Sequence, residues 1–361
     1  MIEGTNYVKR LPPPPPSPLA APLVTGLPRV VDLHSRFVVD LTKEASQGNF
    51  GKVYPAIERK ANQPVALKIL HDVNDESQNE VELLKELSKQ CHPNVLCFID
   101  FFRSLINGTY YYVIETELLE KDLEAKNIAW KNETLLKHLT HAPVEFACRV
   151  TRGLLEGLAF LHRNEIYHLD LKPSNVMLRA NGEPVIIDFG LSISCANKDK
   201  TVCSDTTDGD ASYFSVCRWR CWLDANLCSI DEKKEGDVWA LGLTLLAAFT
   251  RDDKIEQFLI QLVDQQKLET ANELDAARLL FYADASVSAK FKQYAIVHGR
   301  GMLYPPDPSI NALLESILIT VPTIRCQLPS ADQLLTMLRC DMASDATQKE
   351  VLDTAGLKIK K

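Results

Sequence analysis

Two short acidic motifs, YHLDLKPSN (Tyr167–Asn175) and IIDFG (Ile186–Gly190), decide the fold of this chain. Apolar runs adjoin them at Val176–Leu178 and Val185–Ile187, and an Asn-Gly pair at 181–182 lies in the connection. Asn-Gly tolerates the positive φ that a tight hairpin turn demands. Because a β-hairpin brings its two outer ends together, the sequence predicts that the two motifs meet at one site.

The polar side chains of these motifs indicate a chemistry. Asp170 and Asn175 lie at one end of the predicted hairpin, and Asp188 lies at the other. Two carboxylates in one cleft repel each other. A divalent cation relieves that repulsion, and Mg²⁺ typically takes one or two protein carboxylates plus substrate phosphates. Lys172 adds a positive charge beside Asp170, so the pattern favours a site for phosphoryl transfer.

The two motifs resemble the catalytic loop and the metal-binding Asp-Phe-Gly of eukaryotic protein kinases. The resemblance extends from about Phe37 to Leu338. It implies the α+β, bilobal protein kinase fold, with a small β-rich N-lobe that has one helix and a larger, mostly helical C-lobe. The chain then divides into a proline-rich disordered leader (1–34), a kinase domain (35–341, N-lobe about 37–115 and C-lobe about 118–341) and a polar tail (342–361).

The resemblance also implies roles for the motif residues. Asp170 would orient the substrate hydroxyl and accept its proton, and Lys172 would steady the γ-phosphoryl oxygens. Asn175 and Asp188 would hold Mg²⁺. A lysine two places after the aspartate resembles the serine/threonine kinases. The implied enzyme is an ATP- and Mg²⁺-dependent protein serine/threonine kinase that phosphorylates Ser and Thr hydroxyls of protein substrates.

A nucleotide site is implied upstream of the motifs. Residues 46–53, SQGNFGKV, resemble the kinase glycine-rich loop with serine in place of its first glycine. Glycines there let backbone amides approach phosphates closely. Residues 65–68, VALK, resemble the family strand whose lysine holds the phosphates, and residues 115–117 stand where the family has its hinge. The resemblance assigns nucleotide binding to Ser46, Gln47, Gly48, Asn49, Phe50, Gly51, Val53, Ala66, Lys68, Glu115, Glu117 and Met177.

A helical pattern over Asp75–Gln90 carries the partner of this lysine. Comparison with the family places the ion-pair partner of Lys68 at Glu80. Glu76 and Glu82 compete for the role. Glu80 is favoured because it lies one turn before Leu84, on the face that carries the apolar stripe.

The chain departs from the family pattern in its activation segment, residues 192–228. Leu169 replaces the arginine that pairs with an activation-loop phosphate in most members, so activity here is expected not to depend on that phosphate. The segment holds five of the ten cysteines and several aspartates, and we expect it to be mobile and solvated. A metal or redox role for its cysteines stays open beside simple packing.

The end of this segment departs from the family as well. Residues 215–223, SVCRWRCWL, align with Gly-Thr-Pro-x-Tyr-x-Ala-Pro-Glu. Trp219 replaces the tyrosine, and Leu223 replaces the glutamate that pairs with an arginine, here Arg325. Because an arginine buried without a carboxylate is costly, either Asp224 substitutes or Arg325 is exposed.

Composition excludes some classes of protein. The net charge is −8 and no long basic run occurs, which disfavours nucleic acid as a partner. The ten cysteines form no C-x-x-C pair, residues 1–10 do not resemble a signal peptide, and the longest apolar run is shorter than the roughly 18 residues of a membrane span. We therefore expect a cytoplasmic protein with reduced thiols and no membrane partner, the nucleus being left open.

The leader is rich in proline, with a run at 12–16. Such runs adopt the extended polyproline helix and build no packed core. The leader is either a disordered spacer or a docking segment for SH3- or WW-type modules.

Two other functions stay open. A pseudokinase-type scaffold would use the fold without catalysis, but Lys68, Asp170, Asn175 and Asp188 are all present. A small-molecule kinase on the same fold is favoured by the altered end of the activation segment and disfavoured by Lys172-Pro173. An acidic cluster after the hinge favours basic residues before the target hydroxyl in a substrate.

Overall fold

The computed structural model describes part of the chain, including both acidic motifs. The described residues are 27–42, 46–48, 51–70, 75–119, 144–179, 182–196, 209–210, 213–215, 217–218, 229–250, 308–318 and 328–339. Several predictions concern residues outside these ranges, namely Asn49, Phe50, Trp219, Leu223, Asp224, Arg325, leader residues 1–26 and the tail 342–361.

The N-terminal part is built on one sheet of antiparallel strands. Five of them follow the order β1-β3-β4-β6-β5, and β2 pairs with β3. The strands are β1 (Phe37–Val39), β2 (Ser46–Gly48), β3 (Gly51–Glu58), β4 (Gln63–Leu70), β5 (Phe98–Ile106) and β6 (Thr109–Glu117). From β3 to β6, strands that are consecutive in the sequence either pair with each other or pair with the same strand. Short connections therefore suffice to join them.

One longer helix accompanies this sheet. It is α2 (Asp75–Leu87), and a 3-10 helix, Ser88–Gln90, continues it. Together they confirm the helix predicted over Asp75–Gln90. Leu84 and Leu87 on α2 are buried in the main core, as the apolar stripe predicts.

A short helix precedes the sheet. It is α1 (Leu33–Arg36), and Asp32 caps it by accepting from the amides of His34 and Ser35. The segment before it follows β5, because Val31 N donates to Arg103 O at 2.8 Å. Leu33 is 1% exposed. The assignment of residues 29–34 to a disordered leader needs correction, because backbone hydrogen bonds join residues 29 and 31 to β5 and Leu33 is buried in the core of the sheet.

The C-terminal part is mostly helical. Its helices are α3 (Val144–Arg163), α4 (Ile230–Thr250), α5 (Pro308–Leu318) and α6 (Ala331–Met337), and its short strands are β7 (Ile166–Tyr167), β8 (Val176–Leu178), β9 (Pro184–Ile186) and β10 (Ile193–Ser194). The predicted hairpin is confirmed, since Val176 pairs with Ile186 across β8 and β9. Gly182 in its turn has φ +82°, which favours glycine.

The main core forms where α3 and α4 meet the hairpin. Leu154 and Leu158 of α3 and Leu241 of α4 are fully buried in it, together with Ile186 of β9. The described side chains of α4 are buried on nearly every face, as expected for a helix at the centre of a domain. None of the helices in the described ranges combines the length and apolarity that crossing a bilayer requires.

The described cysteines are oxidised. Cys91 and Cys97 form a disulfide, with their Cα atoms 5.6 Å apart, within the range that such a bond requires. Cys148, Cys195 and Cys217 are disulfide-bonded as well. The expectation of reduced thiols is therefore wrong for these residues, because the fold brings together cysteines whose spacing in sequence matches no common motif.

A partly buried network of charged side chains joins α1 to β6. Arg36 Nη2 donates to Glu115 Oε2 at 2.6 Å, and its Nη1 donates to Asp100 Oδ2 at 2.5 Å. The Glu115 side chain is 1% exposed. Burial raises the pKa of Glu115 to about 7; Arg36 opposes the rise, whereas Asp100 and Glu58 add to it.

We predict that Glu115→Gln removes part of the pH dependence of stability. The folded pKa, about 7, lies above the ordinary value of 4.5, so this group favours the folded state most at low pH and loses that contribution as pH rises toward 7. The free energy of unfolding of the parent, relative to that of the variant, should fall by up to about 3 kcal/mol over this interval.

Urea unfolding at a series of pH values measures this difference. Glu82→Gln, which removes an exposed carboxylate of α2, is the matched control and should follow the parent. A difference between the parent and Glu115→Gln that stays constant with pH would contradict the prediction.

Candidate active site

The carboxylate of Asp237 fixes the loop that follows β7. Asp237 on α4 accepts from His168 N at 2.9 Å and from Leu169 N at 2.8 Å. Its Oδ2 also lies 3.0 Å from Nε2 of His162 on α3. Burial alone would raise the pKa of Asp237, but His162, His168 and the amide of Leu169 hold the pKa below its usual range. Asp237 is therefore an anion that fixes the backbone just before Asp170.

The hydrogen bonds of Asp237 support an unusual backbone conformation. Leu169 has φ +65°, a left-handed conformation that costs a non-glycine residue roughly 1–2 kcal/mol. The Leu169 side chain is 5% exposed and packs with Tyr167 and Cys195. Where most of the family places an arginine for an anionic partner, this chain therefore places a buried apolar contact.

Asp170 is surrounded by hydrogen-bond donors. Lys172 Nζ lies 3.0 Å from its Oδ2, and Asn175 Nδ2 donates to the same oxygen at 3.0 Å. The amide of Asp210 donates to Oδ1 at 3.0 Å. Asp170 itself is 9% exposed. These donors fix the orientation of the carboxylate.

The hairpin brings the two motifs together as predicted. Ile187 N donates to Asn175 O at 3.0 Å, and the ring of His168 contacts Ile187 O through Nε2 at 2.9 Å. Phe189 is fully buried against His168, with 5.2 Å between ring centroids. Asp188, between Ile187 and Phe189 in the sequence, has φ +64°. The chain thus turns at Asp188 next to the end of the catalytic loop.

Lys68 and Glu80 meet in the N-terminal part. Lys68 Nζ donates to both carboxylate oxygens of Glu80, at 2.9 and 2.7 Å. Burial lowers the pKa of Lys68, but the charges of Glu80 and Asp188 outweigh burial, so the pKa is raised above its usual value. The charge of Asp188 thus acts on the Lys68–Glu80 pair. Glu82, the competing candidate, is exposed, and the side chain of Glu76 lies outside the described set.

The pairing of β4 with β3 and β6 places several of the residues predicted to bind the nucleotide side by side. Lys68 pairs with Val53 on β3 and with Ile114 on β6, and Ala66 pairs with Thr116. Glu115 and Glu117 flank Thr116 on the same strand. The sheet therefore places the end of β6 directly beside the part of β4 that carries Ala66 and Lys68.

The predicted glycine-rich loop is a β-hairpin in its described part. Ser46, Gln47 and Gly48 form β2, and Gly48 pairs with Gly51. A Cβ added at Gly51 would lie 2.4 Å from Ile69 O, so no larger residue fits without a shift of the backbone. The tip, with Asn49 and Phe50, lies outside the described residues.

The end of β6 is bound to the C-terminal part. Arg179, just after β8, donates from Nε and Nη2 to Glu117, at 2.9 and 2.7 Å. The same Glu117 accepts from Cys97 N at 3.1 Å. The Glu117 side chain therefore joins three chain segments. Met177, on β8, is half-buried between two buried neighbours, which places its side chain on the other face of the hairpin.

Sequence reasoning did not identify Asp210 and Arg179. Asp210 lies against Asp170, and its carboxylate is 3.8 Å from Lys172 Nζ. One signal was present: Gly209 and Tyr213 have the same Gly-x-x-x-Tyr spacing as the family motif that was aligned with residues 215–219. In the structure it is Gly209 and Asp210, from the earlier of the two matches, that lie against the catalytic loop. Arg179 carried no local signal.

The described part of the activation segment is packed rather than solvated. Tyr213 and Phe214 are buried, and Ser215 Oγ donates to Glu235 Oε2 at 2.6 Å. The expectation of a mobile, solvated segment is therefore wrong for residues 213–218 as far as they are described, because their aromatic side chains supply apolar contacts that the aspartates upstream do not.

The donors present fit a magnesium ion that is shared with phosphate. Among the described contacts Asn175 uses only its amide nitrogen, which leaves Oδ1 for a cation near Asp188. The described ranges contain no cluster of three or more His, Cys, Asp or Glu side chains able to hold a metal by itself. One carboxylate and one amide oxygen match the sparse protein ligand set that Mg²⁺ takes when phosphates complete its shell.

Comparison with known proteins agrees with this geometry. Extracellular signal-regulated kinase 7 of Drosophila melanogaster is 26% identical over 249 residues, 65% of this chain and 26% of that protein. Mitogen-activated protein kinase 15 of Caenorhabditis elegans is 30% identical over 225 residues, 60% of this chain and 44% of that protein. Serine/threonine-protein kinase Aurora-1 of Arabidopsis thaliana is 28% identical over 208 residues, 56% of this chain and 62% of that protein.

The matches thus span less than two thirds of the length of each of these relatives. A family model, described as the protein kinase domain, matches residues 40–337. That range includes strands β2 to β6 of the sheet, the Lys68–Glu80 pair and both acidic motifs. The chain belongs to the protein kinase domain family.

Proposed function

We propose that this protein is an ATP- and Mg²⁺-dependent protein serine/threonine kinase, which transfers the γ-phosphoryl group of ATP to Ser and Thr hydroxyls of protein substrates. The observation that carries the proposal is the surroundings of Asp170. A carboxylate is held by Lys172 and Asn175 on a loop that Asp237 fixes. The hairpin joins this loop to Asp188, whose charge acts on Lys68 and on its partner Glu80.

Asp170 orients the substrate hydroxyl and accepts its proton. Its oxygens receive hydrogen bonds from Lys172, Asn175 and the amide of Asp210. Such fixed donors hold the carboxylate in one rotamer, and proper orientation supplies a large share of catalysis in phosphoryl transfer. Lys172, close enough to contact Asp170, also reaches the space where phosphoryl oxygens carry charge.

Lys68 binds the phosphates of the nucleotide. Glu80 holds its ammonium group at 2.7 Å, and the raised pKa keeps the group protonated. Glu80 in turn is fixed because α2 is tied to the segment after Asp188: Asn79 Nδ2 donates to Ser192 O at 2.6 Å. The backbone of residues 115–117 accommodates the adenine, with Val53, Ala66 and the glycine-rich hairpin around it.

Asn175 and Asp188 hold the magnesium ion. When bound, the ion supplies neutralisation of phosphate charge. Asn175 directly precedes β8 and Asp188 lies two residues after β9, so the pairing of these strands sets the separation of the two residues. The negative charge of Asp188 acts on Lys68 as well.

Specificity for Ser and Thr is supported by Lys172 at its place in the catalytic loop. A relative such as Aurora-1 bears serine/threonine-protein kinase in its name. Binding of the proline-rich leader to SH3- or WW-type modules stays a prediction from residues that lie mostly outside the described ranges. A cytoplasmic location stays a prediction as well.

We predict that Asp188→Ala abolishes transfer of labelled phosphate from ATP to a library of peptides that contain Ser, Thr or Tyr. Loss of one of the two metal-binding groups should lower the rate by at least about 10²-fold, since electrostatic stabilisation usually contributes more to catalysis than any other effect. The parent should label Ser and Thr peptides. Asp332→Ala, which removes an exposed carboxylate on α6, should leave the rate unchanged.

Equal labelling by the parent and Asp188→Ala would contradict the proposal. A parent that binds ATP but labels no peptide and no small alcohol would indicate a scaffold. Labelling of small alcohols alone would indicate a small-molecule kinase.

We further predict that activity survives the joint replacement of Ser204, Thr206, Thr207 and Ser212 by alanine. Leu169 is a buried apolar residue and offers no cation to a phosphate on this segment. Tyr213 and Ser215, also candidate phosphorylation sites, are left unchanged because both are buried and Ser215 donates to Glu235.

The measurement is the peptide phosphorylation rate of the variant beside that of phosphatase-treated parent. Both rates should lie within about twofold of that of the untreated parent, because position 169 has no arginine to bind a phosphate. A loss of activity with an unchanged melting temperature would refute the independence from phosphorylation.

A further inference from the structure

The connection between α2 and β5 is closed by a disulfide. Cys91 and Cys97 are bonded to each other, six positions apart in the sequence. Cys91 follows the 3-10 helix that ends at Gln90, and Cys97 comes directly before β5. The bond therefore joins the end of the helix that carries Glu80 to the beginning of a strand of the sheet. We call residues 91–97 the cysteine loop.

The cysteine loop is where the N-terminal part contacts the β8–β9 hairpin. Ile186 N donates to Asn94 O at 2.9 Å, and Leu96 N donates to Ile186 O at 3.0 Å. Asn94 Nδ2 donates to Pro184 O at 2.8 Å. Because Ile186 lies two residues before Asp188, the position of the loop is coupled to the metal-binding motif.

Two further contacts surround the loop. Arg179 donates to Pro93 O while it binds Glu117, and Glu117 accepts from Cys97 N at 3.1 Å. The ring of His92 stacks on Phe160 of α3, with 4.8 Å between centroids. The cysteine loop thus contacts β6, the β8–β9 hairpin and α3.

Constraint on the cysteine loop reaches the phosphate-binding lysine through α2. The helix runs into the 3-10 helix and Cys91 without a break, and Glu80 on it binds Lys68 at 2.7 Å. A segment of helix moves as a unit because its backbone hydrogen bonds connect successive turns. The helix therefore connects Cys91 with the residue that holds Lys68.

The Cys91–Cys97 bond differs from the other described disulfide cysteines in its exposure. Cys91 is exposed and Cys97 is half-buried. Cys148, Cys195 and Cys217 are 1%, 3% and 1% exposed. Access governs thiol–disulfide exchange, so a small thiol reaches the cysteine loop in the folded protein more readily than it reaches these three.

We propose that Cys91 and Cys97 form a reversible thiol–disulfide site that controls the position of α2. The disulfide fixes the cysteine loop on the hairpin, and reduction releases the loop together with the end of α2. The effect on activity rests on the proposed kinase function, in which Glu80 orients Lys68. The effect on the position of the cysteine loop and α2 does not depend on that function.

The exchange partner is a disulfide of low molecular weight, such as glutathione disulfide. The Cys91 thiolate attacks one of its sulfur atoms, the small S–S bond breaks, and a mixed disulfide and one small thiol form. The Cys97 thiolate then attacks the Cys91 sulfur and displaces the second small thiol. The two protein thiols lose two protons and two electrons, and the small disulfide becomes two thiols.

The test uses the full chain equilibrated in glutathione buffers that are mainly reduced or mainly oxidised. Peptide mapping without reductant reports the Cys91–Cys97 linkage, and hydrogen exchange reports the protection of residues 75–99. We expect the reduced buffer to break this linkage in the folded protein. Amide exchange in α2 and the cysteine loop should then rise roughly tenfold or more, as in local opening, and peptide phosphorylation should slow.

The double variant Cys91→Ser, Cys97→Ser is the matched control, because it keeps the other cysteines. It should show fast exchange in both buffers. The proposal is overturned by a linkage that persists until the whole protein unfolds, by parent exchange that stays unchanged after the linkage is lost, or by a redox response that survives in the double variant.

Two features keep the test decisive. Should the double variant fail to fold, the comparison of the parent with and without its linkage still decides the outcome. Asp188→Ala should keep the redox-dependent exchange of α2 although it lacks transfer activity. Failure of the kinase proposal is thereby distinguished from failure of the thiol–disulfide proposal.

Discussion

The carboxylate of Asp237 accepts hydrogen bonds from the amides of His168 and Leu169, and the catalytic loop depends on this contact. The left-handed backbone at Leu169 costs roughly 1–2 kcal/mol, whereas a hydrogen bond to a charged group contributes about 1.5–3 kcal/mol. Two such bonds outweigh the backbone cost. Asp170 then follows in a fixed direction, with Lys172 and Asn175 placed to hold its carboxylate. A buried anion on the central helix α4 thus sets the geometry of a polar loop at the surface of the cleft.

The N-terminal part must be positioned against this loop, and its contacts converge on the hairpin that carries Asp188. The cysteine loop pairs with β9, Arg179 binds Glu117 at the end of β6, and Asn79 of α2 binds the segment after Asp188. Lys68 is brought to the cleft by its strand and held there by Glu80. The pieces of the site therefore come from two parts of the chain that share one set of contacts.

The features that could be predicted from the sequence are those fixed by local spacing. The hairpin with Asp170, Asn175 and Asp188 follows from apolar runs around an Asn-Gly turn, and Glu80 follows from its face of a helix. Features that depend on distant partners could not be predicted. Nothing near Arg179 indicates that Glu117, 62 positions away, accepts its hydrogen bonds. Cys91 and Cys97 match no common motif. The pairing of residues 29–31 with β5 depends on Arg103, which is distant in the sequence.

The rate of phosphoryl transfer by Asp237→Asn, measured together with its affinity for ATP, tests the account most directly. Asparagine keeps the shape of the side chain but replaces one acceptor oxygen with an NH₂ group, so one of the two loop amides loses its partner. The account predicts a kcat lower by about 10²-fold, the scale of a small misplacement of catalytic groups, with ATP affinity little changed. The melting temperature should fall by several degrees, because a hydrogen bond to a buried charge is lost. A folded variant with the kcat of the parent would show that the loop does not need this carboxylate, and would contradict the account.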